Sequence, residues 1–315
     1  MNRPPPVPPA DVSAPAEWSA WQPLAGWTDC NPRCLRETLD GGQAFRWRPT
    51  GENEWRGAWG GHTARLRLEP DGRLLARAPL ASTAATSAEL SRYLDLDRDY
   101  ATERDALPWR TDPHLARCLA AFPGLRLLRQ PFGETLLGFL CSATKQIVQI
   151  RQMCDALANN LGEPLPGGGR ALPTWPRLAE ASDGELRACG LGFRARHVAN
   201  TARFLAERPG WLEEAESRAY PEAKEMLRQL PGVGEKVADC VLLFGAGKWE
   251  AFPVDVWILR VMETRYGLSG WTSAQTAQFG RLHYGRLAGY AQQFLFAWER
   301  ANRKQPYSGN HTGPA

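Results

Sequence analysis

"LPGVGEKVADC", residues 230–240, stops one helical pattern and starts another. Before it, "YPEAKEMLRQ" repeats apolar residues at helical spacing, and after it "KVADCVLLF" does so again. Gly232 and Gly234 flank Val233 in the turn, where the lack of a Cβ lets the backbone reverse sharply. The first N–H groups of the second helix have no partner inside it and point outward. With the positive end of the helix dipole behind them, they make a place where an anion can lie. Lys236 stands within one turn of that end, where a cation is mildly unfavourable. Either it is a solvated side chain tolerated at small cost, or the chain wants an amine there.

This is the physics of a helix–hairpin–helix element lying on a DNA backbone, although any tight corner between two helices can use Gly-x-Gly. Lys236 and Cys240 are four apart and share one helical face. Further on, "AFPVDVWILRV" (251–261) offers another helix, with Asp255 as its N-cap after Pro253. Asp255 is open to two readings. It is a plain capping aspartate, or a carboxylate that meets Lys236 across the helix pair, which the spacing allows.

N-terminal to this unit the texture changes. From Leu35 to about Ala78, "AFRWRP", "EWRGAWG", "HTARLRLE" and "GRLLARA" alternate apolar and polar residues, with turn residues in "TGEN", "GG" and "EPDG" between them. That predicts an antiparallel meander with one buried face. After "STAATSAEL" the period becomes helical, and "ETLLGFLCSATKQIVQIRQMCDALANNLG" (134–162) reads as one long helix ending at Gly162. Strands first and helices after make an α+β chain. The expected organisation is a proline-rich tail over 1–20, an N-terminal antiparallel β-sheet domain over 21–115, a helical domain over 116–303 and a flexible tail over 304–315.

Composition narrows the class. The 315 residues have room for two domains, and a net charge of +4 permits nucleic-acid binding without establishing it. Arginine outnumbers lysine, which suits bidentate phosphate contacts. Seven scattered cysteines include a single C-x-x-x-C (Cys30, Cys34) with no second pair for zinc and no tight group for iron–sulfur, so no metal and no cofactor are expected. No signal peptide and no membrane-length apolar run are apparent, which predicts reduced thiols inside the cell, in the cytoplasm (beside the nucleoid in a bacterium) or in a nucleus. "GAGKW" lacks the spacing and hydroxyl of a P-loop, and "GVGEKV" follows a helix rather than a strand, so neither is a nucleotide motif.

The run "LPGVGEKVADC…PVDVW" resembles the helix–hairpin–helix DNA glycosylases with a Gly/Pro-rich loop and an aspartate, and among them the 8-oxoguanine DNA glycosylase/AP-lyase family. "GGQAFRWR" (41–48), "LRLLRQPFGETLLGFLCSATKQI", "LGFRARHVANTAR" and "AGYAQQFLF" resemble further segments of that family, in order, from about Cys34 to Arg300. The resemblance implies a β domain like the TATA-binding protein's ahead of the helical glycosylase domain. It also implies a monomer whose partner is double-stranded DNA containing oxidised guanine.

The implied reaction flips a damaged base from the duplex, cuts its glycosidic bond and nicks the strand. A neutral amine must attack C1′. A lysine of ordinary pKa costs about 4 to 5 kcal/mol to deprotonate at pH 7, and a helix N-terminus with partial burial is expected to reduce that cost. An awkward place for a cation is therefore a useful place for a nucleophile. By resemblance, Lys236 attacks and Asp255 stabilises charge developing on the sugar. Gly42 offers the carbonyl that accepts the N7–H of 8-oxoguanine, Gln292 reads the Watson–Crick edge, and Phe296 and Cys240 sandwich the base. Read without the resemblance, Phe296 is ordinary helix packing and Cys240 an inert buried thiol. Gly232, Val233 and Gly234 lie on the DNA backbone, while Thr144, Phe193 and Arg194 contact the opened duplex, Arg194 and Arg196 being also readable as solvated surface residues.

Three positions depart from the best-known members. Thr144 stands where they have an asparagine that fills the gap, Phe193 where they have a wedging tyrosine, and Trp257 where animal members have a histidine. The Thr144 change puts a strict requirement for an opposite cytosine in doubt. Two other readings compete: a glycosylase of this fold for another damaged base, and a DNA-binding module without catalysis.

Overall fold

Asn31 and Pro32 begin the first helix among the described residues, in a stretch whose continuation from Leu35 looked like strand. The computed structural model describes residues 17–302. The Asn31 side chain accepts from the Cys34 amide at 2.9 Å and Pro32 fills the first helical position, giving α1 (Pro32–Asp40). Its Leu35 and Leu39, four apart, are buried against the sheet. The alternation expected from Leu35 therefore begins only at Trp47. Ahead of α1 lies β1 (Gln22–Pro23), a two-residue edge strand too short to show any period. After it come β2 (Trp47–Gly51), β3 (Glu54–Trp59), β4 (His62–Leu68) and β5 (Leu74–Arg77), in the antiparallel order β1-β5-β4-β3-β2.

The alternation in β3 and β4 turns Trp55, Trp59, Ala64, Leu66 and Leu68 inward. A Cβ at Gly57 would stand 2.4 Å from the Trp47 indole, so the glycine is what lets that ring lie across β3. Trp47 stacks on Trp59 with centroids 5.8 Å apart and donates its indole N–H to Tyr93 at 3.1 Å. Residues 1–16 of the expected N-terminal tail, and the whole expected tail from 304, lie outside the described residues. Residues 17–20, also read as tail, are placed: Trp18 bridges to Pro79, and Arg65 lies 4.8 Å over its ring.

The helices follow as α2 (Thr83–Tyr93), α3 (Tyr100–Asp105), α4 (Pro113–Ala121), α5 (Phe132–Leu140), α6 (Ile147–Leu161), α7 (Trp175–Glu180), α8 (Asp183–Ala188) and α9 (Arg194–Ala206). Then come α10 (Trp211–Ser217), α11 (Tyr220–Arg228), α12 (Glu235–Phe244), α13 (Val256–Tyr266), α14 (Ser273–Tyr284) and α15 (Ala288–Asn302). The single helix expected over 134–162 is two, α5 and α6, separated by residues 141–146. Thr144 takes a left-handed φ of 56°, which no helix accommodates, and the helix restarts at Gln146, whose amide donates to Gln149 Oε1 at 3.1 Å. The periodicity is in phase on both sides of the break and conceals it.

Helix α12 is buried without interruption from Val237 to Phe244. Asp239 falls inside that run, and a buried carboxylate needs partners. Lys224 of α11 reaches it at 3.0 Å and Tyr220 donates to it at 2.7 Å, which clamps the two helices of the hairpin together. At the interface of the two lobes, Glu134 in the first turn of α5 accepts the Gly60 amide at 3.0 Å. Burial pushes this carboxyl up to about 7. A raised acid favours the protonated folded state. Its stabilising share is complete below the ordinary glutamate value and is lost as pH rises through about 7. Glu134→Gln should therefore melt higher than wild type at pH 8 and about equally at pH 4. Thermal melts across that range check this, and parallel curves would contradict it.

Candidate active site

The hairpin sets the position of Lys236. Gly232 has φ +85° and a Cβ there would meet the His197 ring at 2.8 Å, so this glycine is required twice over. Gly234 has φ −96° and open space around it, and its role is to leave the helix start uncovered. Val233 between them is a buried core residue, so only its backbone remains for a phosphate. Lys236 follows in the first turn of α12. Its Nζ donates to Ser142 Oγ at 3.1 Å and lies 5.2 Å from the centroid of the Phe139 ring.

Asp255 is both things the sequence allowed. It caps α13, accepting from the amides of Trp257 at 3.0 Å and Ile258 at 2.9 Å. It also lines one cavity with Lys236. Burial pushes its carboxyl above the ordinary aspartate value, against the pull of the Ile258 amide and of the Lys236 charge.

The cavity brings together Gly42, Lys236, Cys240, Asp255, Gln292 and Phe296. Sequence reasoning missed Phe139, Phe244, Pro253 and Gln293, which complete its wall. Phe244 is four residues past Cys240 on the face already marked by Lys236, so helical spacing was a usable signal for it. Nothing comparable marked Ser142 or Phe139. A larger groove between Trp175 and Trp211 holds neither Lys236 nor Asp255.

Each wall residue has a physical reason for its state. Burial pushes the Cys240 thiol up to about 12, so it is a neutral, polarisable surface. Gln292 is 3% exposed and donates through Nε2 to the Pro253 carbonyl at 3.1 Å, while Gln293 donates to its Oε1 at 2.8 Å. Because a carbonyl only accepts, this fixes the amide orientation and leaves one N–H and one lone pair unspent. Phe296 lies one turn on from Gln292 along α15. Arg300, a further turn along, donates to the Gly41 carbonyl at 2.8 Å and stands 5.5 Å over the Phe296 ring. The C-terminal helix is thereby tied to the turn that carries Gly42.

Gly42 has φ +109°, and a Cβ there would stand 2.9 Å from Ile147 and 3.7 Å from Phe296. Gly42→Ala should lower activity at least tenfold while the fold survives, because strain and a methyl arrive together at the pocket wall. Single-turnover rates with thermal melts measure this, and an unchanged rate would show that the shape of the pocket at Gly42 does not matter to the reaction.

Around the mouth the expected contacts divide. Thr144 is exposed, Phe193 is 51% exposed with its edge toward His197, and Arg196 is exposed. Arg194 is not a surface residue. It is 2% exposed and donates to the Ala143 carbonyl at 3.0 Å, to Thr144 Oγ1 at 2.9 Å and to the Leu191 carbonyl at 3.3 Å. Four of its five N–H groups are spent on the Ala143 and Leu191 carbonyls and on Thr144 Oγ1, so it braces the 141–146 turn from inside. Among the described residues no group of three or more His, Cys, Asp or Glu is placed to hold a metal ion, and all seven cysteines are free and buried.

Known proteins are similar to this chain over most of its length. Residues 28–136 match the family described as 8-oxoguanine DNA glycosylase, N-terminal domain, and residues 137–281 the HhH-GPD superfamily of base excision DNA repair proteins. An N-glycosylase/DNA lyase of Arabidopsis thaliana is 32% identical over 288 residues, covering 85% of this chain and 77% of its own. The 8-oxoguanine glycosylase/lyase of Clostridium acetobutylicum, solved with double-stranded DNA containing cytosine opposite 8-oxoguanine, superposes with a TM-score of 0.79. It is 30% identical, over 85% of this chain and 92% of that one. A structure of MBOgg1 with a low-affinity DNA ligand gives a TM-score of 0.81 at 30% identity, over 91% and 97%. With its strands ahead of its helices and its lysine and aspartate in one cavity, the chain belongs to the 8-oxoguanine DNA glycosylase/lyase family.

Proposed function

We propose that the protein is a bifunctional 8-oxoguanine DNA glycosylase and AP lyase acting on double-stranded DNA, with Lys236 as nucleophile and Asp255 as electrostatic partner. The observation that carries this is the single cavity shared by an amine, a buried carboxylate and a set of stacking and hydrogen-bonding groups. The Lys236 nitrogen bonds to C1′ as the C1′–N9 bond breaks, and the bonding pair leaves with the base, which takes up a proton. The nitrogen gives up a proton and the sugar ring opens to an imine. Loss of a C2′ proton then expels the 3′ phosphate by β-elimination, which nicks the strand.

Gly42 supplies the carbonyl that meets the N7–H of 8-oxoguanine, an interaction guanine lacks, and Gln292 uses its two unspent positions on the Watson–Crick edge. Cys240 and Phe296 take the faces of the base. Gly232, Val233 and Gly234 offer backbone to the DNA phosphates, and Thr144 and Phe193 enter the space the base leaves. Affinity should fall with salt as phosphate contacts require. Among the described residues no helix is long and apolar enough to cross a membrane, and the place of action is wherever the cell keeps its DNA.

Duplexes carrying 8-oxoguanine, uracil, 3-methyladenine or an abasic site separate this reading from its rivals. Excision and nicking at 8-oxoguanine, with nicking at the abasic site, are expected. Preference for another base, or binding without any nick, would overturn it.

A further inference from the structure

Among the described residues, Ser142 is the polar side chain that holds the Lys236 amine directly, and neither the hairpin motif nor the base pocket accounts for it. It is 7% exposed and sits at the C-terminal end of α5, in the turn that breaks the helical pattern. Its hydroxyl makes two contacts of opposite sense. It donates to the Phe139 carbonyl at 2.7 Å, which can only accept, and so its oxygen faces the lysine as an acceptor at 3.1 Å. A hydroxyl whose proton is spent in this way cannot donate to the amine. The neutral amine therefore gives one N–H to Ser142 and keeps its lone pair free, which is the state a nucleophile needs.

We propose that Ser142 is a positioning residue for the nucleophile: it fixes the Lys236 amine by a hydrogen bond of a single direction and leaves the attacking lone pair unoccupied. This rests on the reading of Lys236 as nucleophile. The hydroxyl is not needed to satisfy the backbone, because the Phe139 carbonyl also accepts the Ser142 amide at 3.0 Å. The same turn is held from its other side by Arg194, which grips Ala143 and Thr144, so the residue at the mouth and the holder of the amine share one rigid support. The titratable groups that face the amine are Asp255 and Cys240, while Asp239 on the same helix turns away to Lys224.

Ser142→Ala and Ser142→Thr test the proposal in the intact protein on an 8-oxoguanine duplex. Ser142→Ala should bind DNA as wild type does but excise about tenfold more slowly in single turnover. The loss should fall on kcat and leave KM near the wild-type value, and Ser142→Thr, which keeps the hydroxyl, should recover most of the rate. A Ser142→Ala rate within twofold of wild type, or a Ser142→Thr rate as slow as that of Ser142→Ala, overturns the proposal, the latter by reducing Ser142 to packing. If Ser142→Ala does not fold, Ser142→Cys, a weak acceptor of similar shape, carries the same readout. Wild type that excises and is trapped by borohydride while Ser142→Ala matches it removes only this inference. Wild type that is never trapped removes the nucleophile reading itself.

Discussion

Lys236→Gln should bind lesion DNA within a few-fold of wild type, yet lose excision by about 10⁴-fold or more and form no borohydride-trapped adduct. The size follows from the chemistry, since an amide nitrogen has no basic lone pair to attack C1′ and, among the described residues, no other amine lines the cavity. The fold should hardly register the change. Lys236 is only partly buried, its amine donates to Ser142, and glutamine can replace that donor at a cost of about 1 kcal/mol or less. Loss of activity with an unchanged melting temperature and unchanged affinity therefore separates chemistry from folding. Residual trapping in this variant would show that another amine does the work.

Asp255→Asn is expected to cost about 10²- to 10³-fold in single-turnover excision, the range seen when one preorganised electrostatic group is removed from a closed site. Asparagine caps helices about as well as aspartate, so both amides of α13 remain satisfied and the fold should keep its stability. Burial raises the Asp255 carboxyl, so its protonated form suits the fold better than its charged form. The stabilising share of that form is complete below the ordinary aspartate value and is lost as pH rises through the raised one. At pH 7 the asparagine variant should accordingly be no less stable than wild type. Asp255→Ala removes cap and charge together and should lose about 1 kcal/mol more in stability. Activity close to wild type in Asp255→Asn would leave Asp255 as a helix cap and nothing else.

Much of this arrangement was legible because helices carry their own ruler. Lys236 with Cys240, and Gln292 with Phe296, are pairs one turn apart, and both pairs face the cavity. The capping role of Asp255 was readable from Pro253 and the apolar run that follows. Its nearness to Lys236 was not, since that depends on how two helices cross. Arg194 was misread for a similar reason, as an arginine in a basic stretch gives no sign that its guanidinium will turn inward to a carbonyl. The break at Thr144 escaped because apolar residues keep helical phase across it, and only the left-handed φ gives it away. Helix α1 was hidden under a strand-like texture although Asn31-Pro32 is a helix start in plain view. Ser142 had no local signal at all, because its function lies in the direction of one proton.

The central claim is that one particular amine joins the DNA. Reducing the reaction on an 8-oxoguanine duplex with borohydride, digesting the trapped adduct and sequencing the modified peptide by mass spectrometry tests it directly. The cross-link should sit on Lys236, within the peptide that carries Val237 and Cys240. A cross-link on any other residue, or excision that proceeds with no trapped adduct, would contradict the account.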